Sequence, residues 1–180
     1  TAPAPITETL ASALILFTPW KKDRILVDPF CGSGTFPIEA AMLAANMAPG
    51  MKRHFLAEKW ENLIPICHFQ DAKEEAADLV DLSVETDIQG YDIDGEIIKA
   101  ARANAKMAGV DHLIHFQQRP VSELSHPKKY GFVITNPPYG ERLEEKKNLP
   151  ALYKEMGDAF RRLDSWSEYV ITAYEDAEKY

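Results

Sequence analysis

The chain has 180 residues, 46% hydrophobic and 27% charged, the composition of one ordinary folded domain with a sizeable core. No apolar run reaches the ~20 residues that cross a membrane, Thr1-Ala2-Pro3-Ala4-Pro5 is no signal peptide, and Cys31 and Cys67 make neither a disulfide framework nor a zinc ligand set, so a cytoplasmic protein without metal is expected. A formal net charge of −8 excludes a chain that coats nucleic acid by charge alone.

In chain order, residues 7–17 read as a helix with Leu10, Leu14 and Phe17 on its inward face. Arg24-Ile25-Leu26-Val27-Asp28 is a short buried strand ending in an acid, followed by a Gly-containing turn and an Ala-rich helix over 35–46. Residues 49–65 carry no period and are expected to be irregular, anchored by Phe55 and Trp60. A helix is expected over 69–82, a strand over 88–92, and a helix over 95–108 capped by Asp94 and stopped by Gly109. Strands follow at 114–118, 132–135 and 169–173, with Leu149, Leu152, Met156, Phe160 and Leu163 marking a helix between the last two. There is no internal repeat. This alternation predicts an α/β fold with a doubly wound, mainly parallel sheet, in one domain over 1–180. Such sheets often carry further strands, so the chain is expected to be part of a longer parent.

Charge is unevenly spread. Asp71, Glu74, Glu75, Asp78, Asp81, Glu85 and Asp87 read as a solvated face. Lys128, Lys129, Arg142, Lys146 and Lys147 flank Asn136-Pro137-Pro138-Tyr139, which leaves open whether they are solvated surface or substrate contacts. The histidines His54, His68, His112, His115 and His126 are scattered and read as structural.

Three polar signatures fall at strand ends, where sheets of this kind hold their ligands. The first is Asp28-Pro-Phe-Cys-Gly-Ser-Gly-Thr-Phe, in which Gly32 and Gly34 let a backbone approach a ligand at a helix start. It is no dinucleotide fingerprint, because the third glycine position is Pro37 and the next strand-end acid is the distant Asp92. An acid opening the turn suits a cationic or amino-bearing ligand. Cys31, with no neighbouring histidine, reads as a turn residue and not a nucleophile. The second signature is Tyr91-Asp-Ile-Asp: Asp92 is free to accept ribose hydroxyls, whereas Asp94 is needed as a helix cap.

The third is Thr135-Asn-Pro-Pro-Tyr-Gly-Glu-Arg. A double proline cannot continue a central strand, so it holds a rigid strand end. The Asn136 oxygen and unpaired carbonyls there suit the hydrogens of a planar amino group, and Tyr139 can stack on a flat base. Gripping those hydrogens favours the pyramidal, nucleophilic amine in a transition state.

Together these segments, with Ala4-Pro5-Ile6-Thr7-Glu8-Thr9-Leu10 and Met47-Ala-Pro-Gly-Met-Lys-Arg, resemble S-adenosylmethionine-dependent methyltransferases. The match is nearest to the large-subunit (23S) ribosomal RNA guanine-N2 methyltransferases, a family earlier described as N6-adenine-specific DNA methylases. The resemblance implies a class I, Rossmann-like catalytic domain truncated at both ends, with residues 1–24 as a cofactor-capping helix region and 47–88 as a family insertion. It implies cofactor contacts from Asp28, Phe30, Cys31, Gly32, Ser33, Gly34, Asp92, Ile93, Val121 and Asn136. Asn136, Pro137, Pro138 and Tyr139 would form the catalytic strand end, with Tyr139 and Arg142 against substrate. Family members often carry an acid where this chain has Pro120, so Val121 or Gln118 stands in for it. The implied partner is ribosomal RNA, held by the region around Arg142 and by a THUMP-like domain outside this chain. Adenine N6 in DNA, a protein glutamine amide, or a non-catalytic cofactor-binding module remain the alternatives.

Overall fold

The computed structural model describes residues 6–140 and 147–180. One sheet of five parallel strands carries the fold: β1 (Leu26–Asp28), β2 (Ile88–Asp92), β3 (Ile114–Gln118), β4 (Phe132–Thr135) and β5 (Ser167–Val170), in the order β3-β2-β1-β4-β5. The chain lays β2 and β3 outward on one side of β1, then crosses back to place β4 and β5 on the other. The topological switch point therefore lies between β1 and β4. The register of β1 with β2 runs from Leu26↔Ile88 to Asp28↔Gly90, whereas that of β1 with β4 ends at Val27↔Val133. The two central strands thus part just before the polar strand ends.

Alternation along the strands feeds two layers. Leu26, Ile88, Phe132 and Ile134 face helices α1 (Glu8–Phe17) and α2 (Thr35–Ala44), meeting Ala11, Ile15, Phe36, Ala40 and Ala41. Ile25, Val27, Tyr91 and Val133 lie against α5 (Leu149–Phe160), with Leu149, Tyr153, Met156 and Ala159. Helix α4 (Gly95–Ala108) sets Ile98, Ala101 and Ala105 over Phe116 and Cys31. Each fully buried aliphatic side chain in these layers contributes about 1.5–3 kcal/mol. Gly90 makes room for this packing, since a Cβ there would sit 2.6 Å from the Phe116 ring.

The doubly wound parallel sheet matches the sequence expectation, and α4 matches it end to end. The Asp94 carboxylate accepts the Glu96 N–H at 2.8 Å, and Gly109 closes the helix at φ +80°. Four expectations need correction. Helix α1 buries Ala11 and Ile15, leaving Leu10 45% and Phe17 87% exposed. It packs on the alanine-rich α2, where small side chains permit close approach, and a helix apolar all round gives periodicity little to choose between. Helix α3 runs Ile66–Asp78 against the expected 69–82, starting directly after the N-cap Pro65, whose ring fixes φ at −55°, and ending four residues early. Strand β5 begins at Ser167, not 169. Trp166 packs on the bare backbone of Gly131 and sets the register Phe132↔Ser167 just beyond it, on an edge strand exposed throughout.

The fourth correction concerns the insertion. Phe55 and Trp60 are 38% and 47% exposed and anchor no core. A polar node pins the segment instead. The Glu58 carboxylate accepts hydrogen bonds from His54 Nδ1 at 2.9 Å, the Phe55 N–H at 3.1 Å and Lys73 Nζ of α3 at 3.0 Å. Those three donors hold its pKa down at about 2.

Candidate active site

The β1 end opens the site. Asp28 is 1% exposed, and its Oδ1 accepts the Thr135 hydroxyl at 2.6 Å and the Phe30 N–H at 3.1 Å. Both donors are neutral. Burial pushes the carboxyl pKa up to about 7, the two hydrogen bonds hold it back, and the neighbouring Asp92 adds to the rise. A buried carboxylate facing another acid is a seat for a positive ligand group. Beyond it the chain turns sharply: Gly32 adopts φ +51° and Gly34 φ +91°, values that glycine takes without strain. A Cβ at Gly32 would meet nothing within 4 Å, so the turn is bare on its outer side. At Gly34 it would touch Phe116, Ala101 and Ile38, so that glycine serves packing. Cys31 is buried and burial raises its thiol pKa, which fits a turn residue. The Ser33 carbonyl accepts the Asn104 amide of α4 at 3.0 Å.

The β2 end is stitched to that turn. Asp92 Oδ2 accepts the Gly32 N–H at 3.1 Å, its Oδ1 accepts the Asp94 N–H at 3.0 Å, and the Cys31 N–H donates to the Tyr91 carbonyl at 2.8 Å. Desolvation raises the Asp92 pKa against those N–H donors. Ile93, beside it, is 72% exposed and presents an apolar side chain. Gln118 at the β3 end donates its amide to the Ile93 carbonyl at 2.9 Å, and the Arg119 N–H donates to the Asp92 carbonyl at 2.8 Å. Val121 lies in the core with Leu124 and Tyr153 at 5% exposure.

At the β4 end, Thr135 is fully buried. Asn136 is half-buried, and its carboxamide takes no hydrogen bond from the described residues. Pro137 is buried and Pro138 exposed, so the rigid pair has one side in the protein and one towards solvent. Tyr139 is half-buried, and Gly140 turns the chain at φ +83°. Arg142 lies outside the described residues.

The strand-end acids and the asparagine signature therefore meet at the C-terminal end of the sheet, beside the switch point. Lys128 and Lys129 of the basic cluster do not. Lys128 pairs with Asp87 at 2.5 Å and Lys129 with Asp164 at 3.1 Å, at the opposite, N-terminal end of β4. For these two lysines the open choice resolves to surface ion pairs, because a strand of buried residues separates them from Asn136. Two residues that join the parts, Thr135 and Asn104, escaped the sequence reading. A hydroxyl ending the run Phe-Val-Ile was the available signal for Thr135; Asn104 carries none.

Elsewhere, a cleft of about 630 Å³ between α5 and the C-terminal segment, lined by Tyr153, Thr172, Tyr174 and Tyr180, contains none of these residues. Cys67, His68 and Asp71, within five residues of one another on α3, bring their donor atoms within 4.8 Å of one another, all exposed. No helix among the described residues is long and apolar enough to cross a membrane.

A family profile described as "RMKL-like, methyltransferase domain" matches residues 1–180. The chain is 45% identical over 176 residues to YpsC of Bacillus subtilis, a provisionally named RNA methyltransferase, covering 98% of this chain and 46% of that protein. It is 37% identical over 182 residues to the ribosomal RNA large subunit methyltransferase K/L of Buchnera aphidicola, covering 94% of this chain and 25% of the relative. Among solved structures, SMU.472, a provisionally named methyltransferase complexed with SAH, superposes with a TM-score of 0.91 at 40% identity, over 99% of this chain and 47% of that one. The chain thus spans half or less of the length of these relatives.

Proposed function

Because the chain belongs to the family of RMKL-like methyltransferase domains, we propose that it transfers a methyl group from S-adenosylmethionine to an exocyclic amino group of a nucleobase, guanine N2 in large-subunit ribosomal RNA. The observation that carries the reading is the meeting of Asp28, Asp92 and Asn136 at the C-terminal end of the sheet, with the Asn136 carboxamide taking no hydrogen bond from the described residues. The residues fit the cofactor: the buried Asp28 carboxylate has no cationic partner among the described residues, and the space over Gly32 is open. When bound, S-adenosylmethionine supplies an electrophilic methyl group on a positively charged sulfur.

Asp28 would hold the ammonium of its methionine part, with Phe30, Cys31, Gly32, Ser33 and Gly34 shaping the turn around it. Asp92 would accept the ribose hydroxyls, and Ile93 and the Val121 segment would flank the adenine. Asn136 and the Pro137 carbonyl would accept the hydrogens of the target amine and turn its lone pair outward, and Tyr139 would stack on the base. A weakly basic amine sheds its proton after transfer, so no strong general base is required. Arg142 would meet a phosphate or base edge. RNA affinity would come mainly from an RNA-binding domain of the parent protein, a cytoplasmic enzyme.

SAH in the complex of SMU.472 and the ribosomal RNA name of the Buchnera relative both support the reading. The test offers the full-length protein labelled S-adenosylmethionine with unmodified ribosomal RNA, DNA or protein, and identifies the product by mass spectrometry. N2-methylguanosine is expected. N6-methyladenine or methylglutamine would replace the substrate, and no product with any acceptor would overturn the enzyme.

A further inference from the structure

Between β1 and β4 the main-chain register ends at Val27↔Val133, yet the polar ends of both strands must stay aligned for the site to work. One side-chain bond spans the gap. Thr135 Oγ1 donates to Asp28 Oδ1 at 2.6 Å, between residues that are 0% and 1% exposed. On its other side the Thr135 carbonyl accepts the Ile171 N–H at 3.0 Å, so the strand end is held by its edge neighbour as well. The next residue is Asn136. We propose that Thr135 is a positioning residue that ties the cofactor-binding acid to the strand end presenting the target amine, setting both the charge of Asp28 and the place of Asn136. This rests on the function proposed above.

The physical case is specific to the hydroxyl. Among the described residues Asp28 receives two donors, Thr135 and the Phe30 N–H; the charged or titratable groups among them that face it are Asp92 and the Cys31 thiol, neither of which stabilises its anion. Removing the hydroxyl takes away one of the two bonds that keep the carboxylate ionised. At neutral pH a larger fraction of Asp28 then carries a proton and loses its attraction for an ammonium. Raising the pH restores the anion, and with it the affinity. Asn136, no longer held across the crevice, would be less well aligned even when the cofactor is bound.

The experiment measures S-adenosylhomocysteine binding by calorimetry from pH 6 to 9, together with methyl transfer, in the full-length wild type, Thr135→Val and Thr135→Ser. Valine keeps the shape and removes the donor; serine keeps the donor. The expected result for Thr135→Val is about tenfold weaker binding at pH 7, closing towards pH 9, as loss of a bond to a charged group dictates. Its kcat should stay depressed at saturating cofactor and high pH, and Thr135→Ser should return both readouts towards wild type. A Thr135→Val protein with the wild-type pH profile and kcat overturns the proposal. So does a loss that is flat across pH and unrescued by serine, which would mark a packing role. Wild type that binds no S-adenosylhomocysteine fails the underlying function itself, a result distinct from normal wild-type binding with an unaffected variant.

Discussion

The role proposed for Asp28 asks two things that oppose one another: to be buried and to be charged. Its folded-state pKa of about 7 lies above the ordinary 3.8, so the folded chain keeps a proton that the unfolded chain has already released between about pH 4 and 7. The unfolded state binds fewer protons in that window, and stability therefore falls as pH rises through it. A shift of this size has a ceiling of about 4 kcal/mol. Asp28→Asn removes the charge and should be more stable than wild type by about 2–4 kcal/mol at pH 8, with no advantage at pH 4. Urea unfolding at both pH values decides it, and an equal offset at both would mean that charge is not the cause. Asn136 makes a different demand. Asn136→Ala should abolish transfer and leave calorimetric cofactor affinity within about threefold of wild type, under 1 kcal/mol. A collapse of affinity would place the side chain on the cofactor instead of the amine.

Elements differ in how openly the sequence declares them. Helix α4 was legible to the residue because its cap and stop are local chemistry: Asp94 for the first-turn amides, Gly109 for the left-handed exit. The strand-end motifs were legible for the same reason, being contiguous. What could not be read was whatever another element decides. The buried face of α1 is chosen by the alanines of α2, the start of β5 by Trp166 lying on Gly131, and the insertion's anchor by Lys73 reaching Glu58 from α3. The bond between Asp28 and Thr135 belongs to this class, since it exists only once β1 and β4 are neighbours. Two substitutions test these long-range fits. Gly90→Ala should cost about 1–3 kcal/mol by forcing the Phe116 ring aside, read as a lower urea midpoint; an unchanged midpoint would mean the ring yields freely. Glu58→Gln should speed proteolytic nicking near residues 50–65 while the global midpoint holds, because the node pins only the insertion. Equal nicking rates would deny it that role.

At the scale of the whole molecule, a net charge of −8 and a β5 edge exposed throughout describe a body that does not attract RNA by its overall field. Any RNA contact from this chain must be local. In the full-length protein, Arg142→Ala should reduce the salt slope of RNA binding by about one unit if its side chain meets a phosphate; an unchanged slope would assign it elsewhere. The separation of the site's parts along the chain has a temporal meaning as well. Asp28 and Thr135 stand 107 residues apart, and their bond closes the crevice. During synthesis, β1, β2 and β3 can emerge and pair while Asp28 still lacks its hydroxyl donor. Only the arrival of β4 completes the proposed ligand seat and the strand end proposed to hold the amine, in the same event. A nascent chain would pass from inert to cofactor-competent in one step, and the cofactor would act as a late-stage clamp on an already assembled sheet, not as a nucleus for its folding.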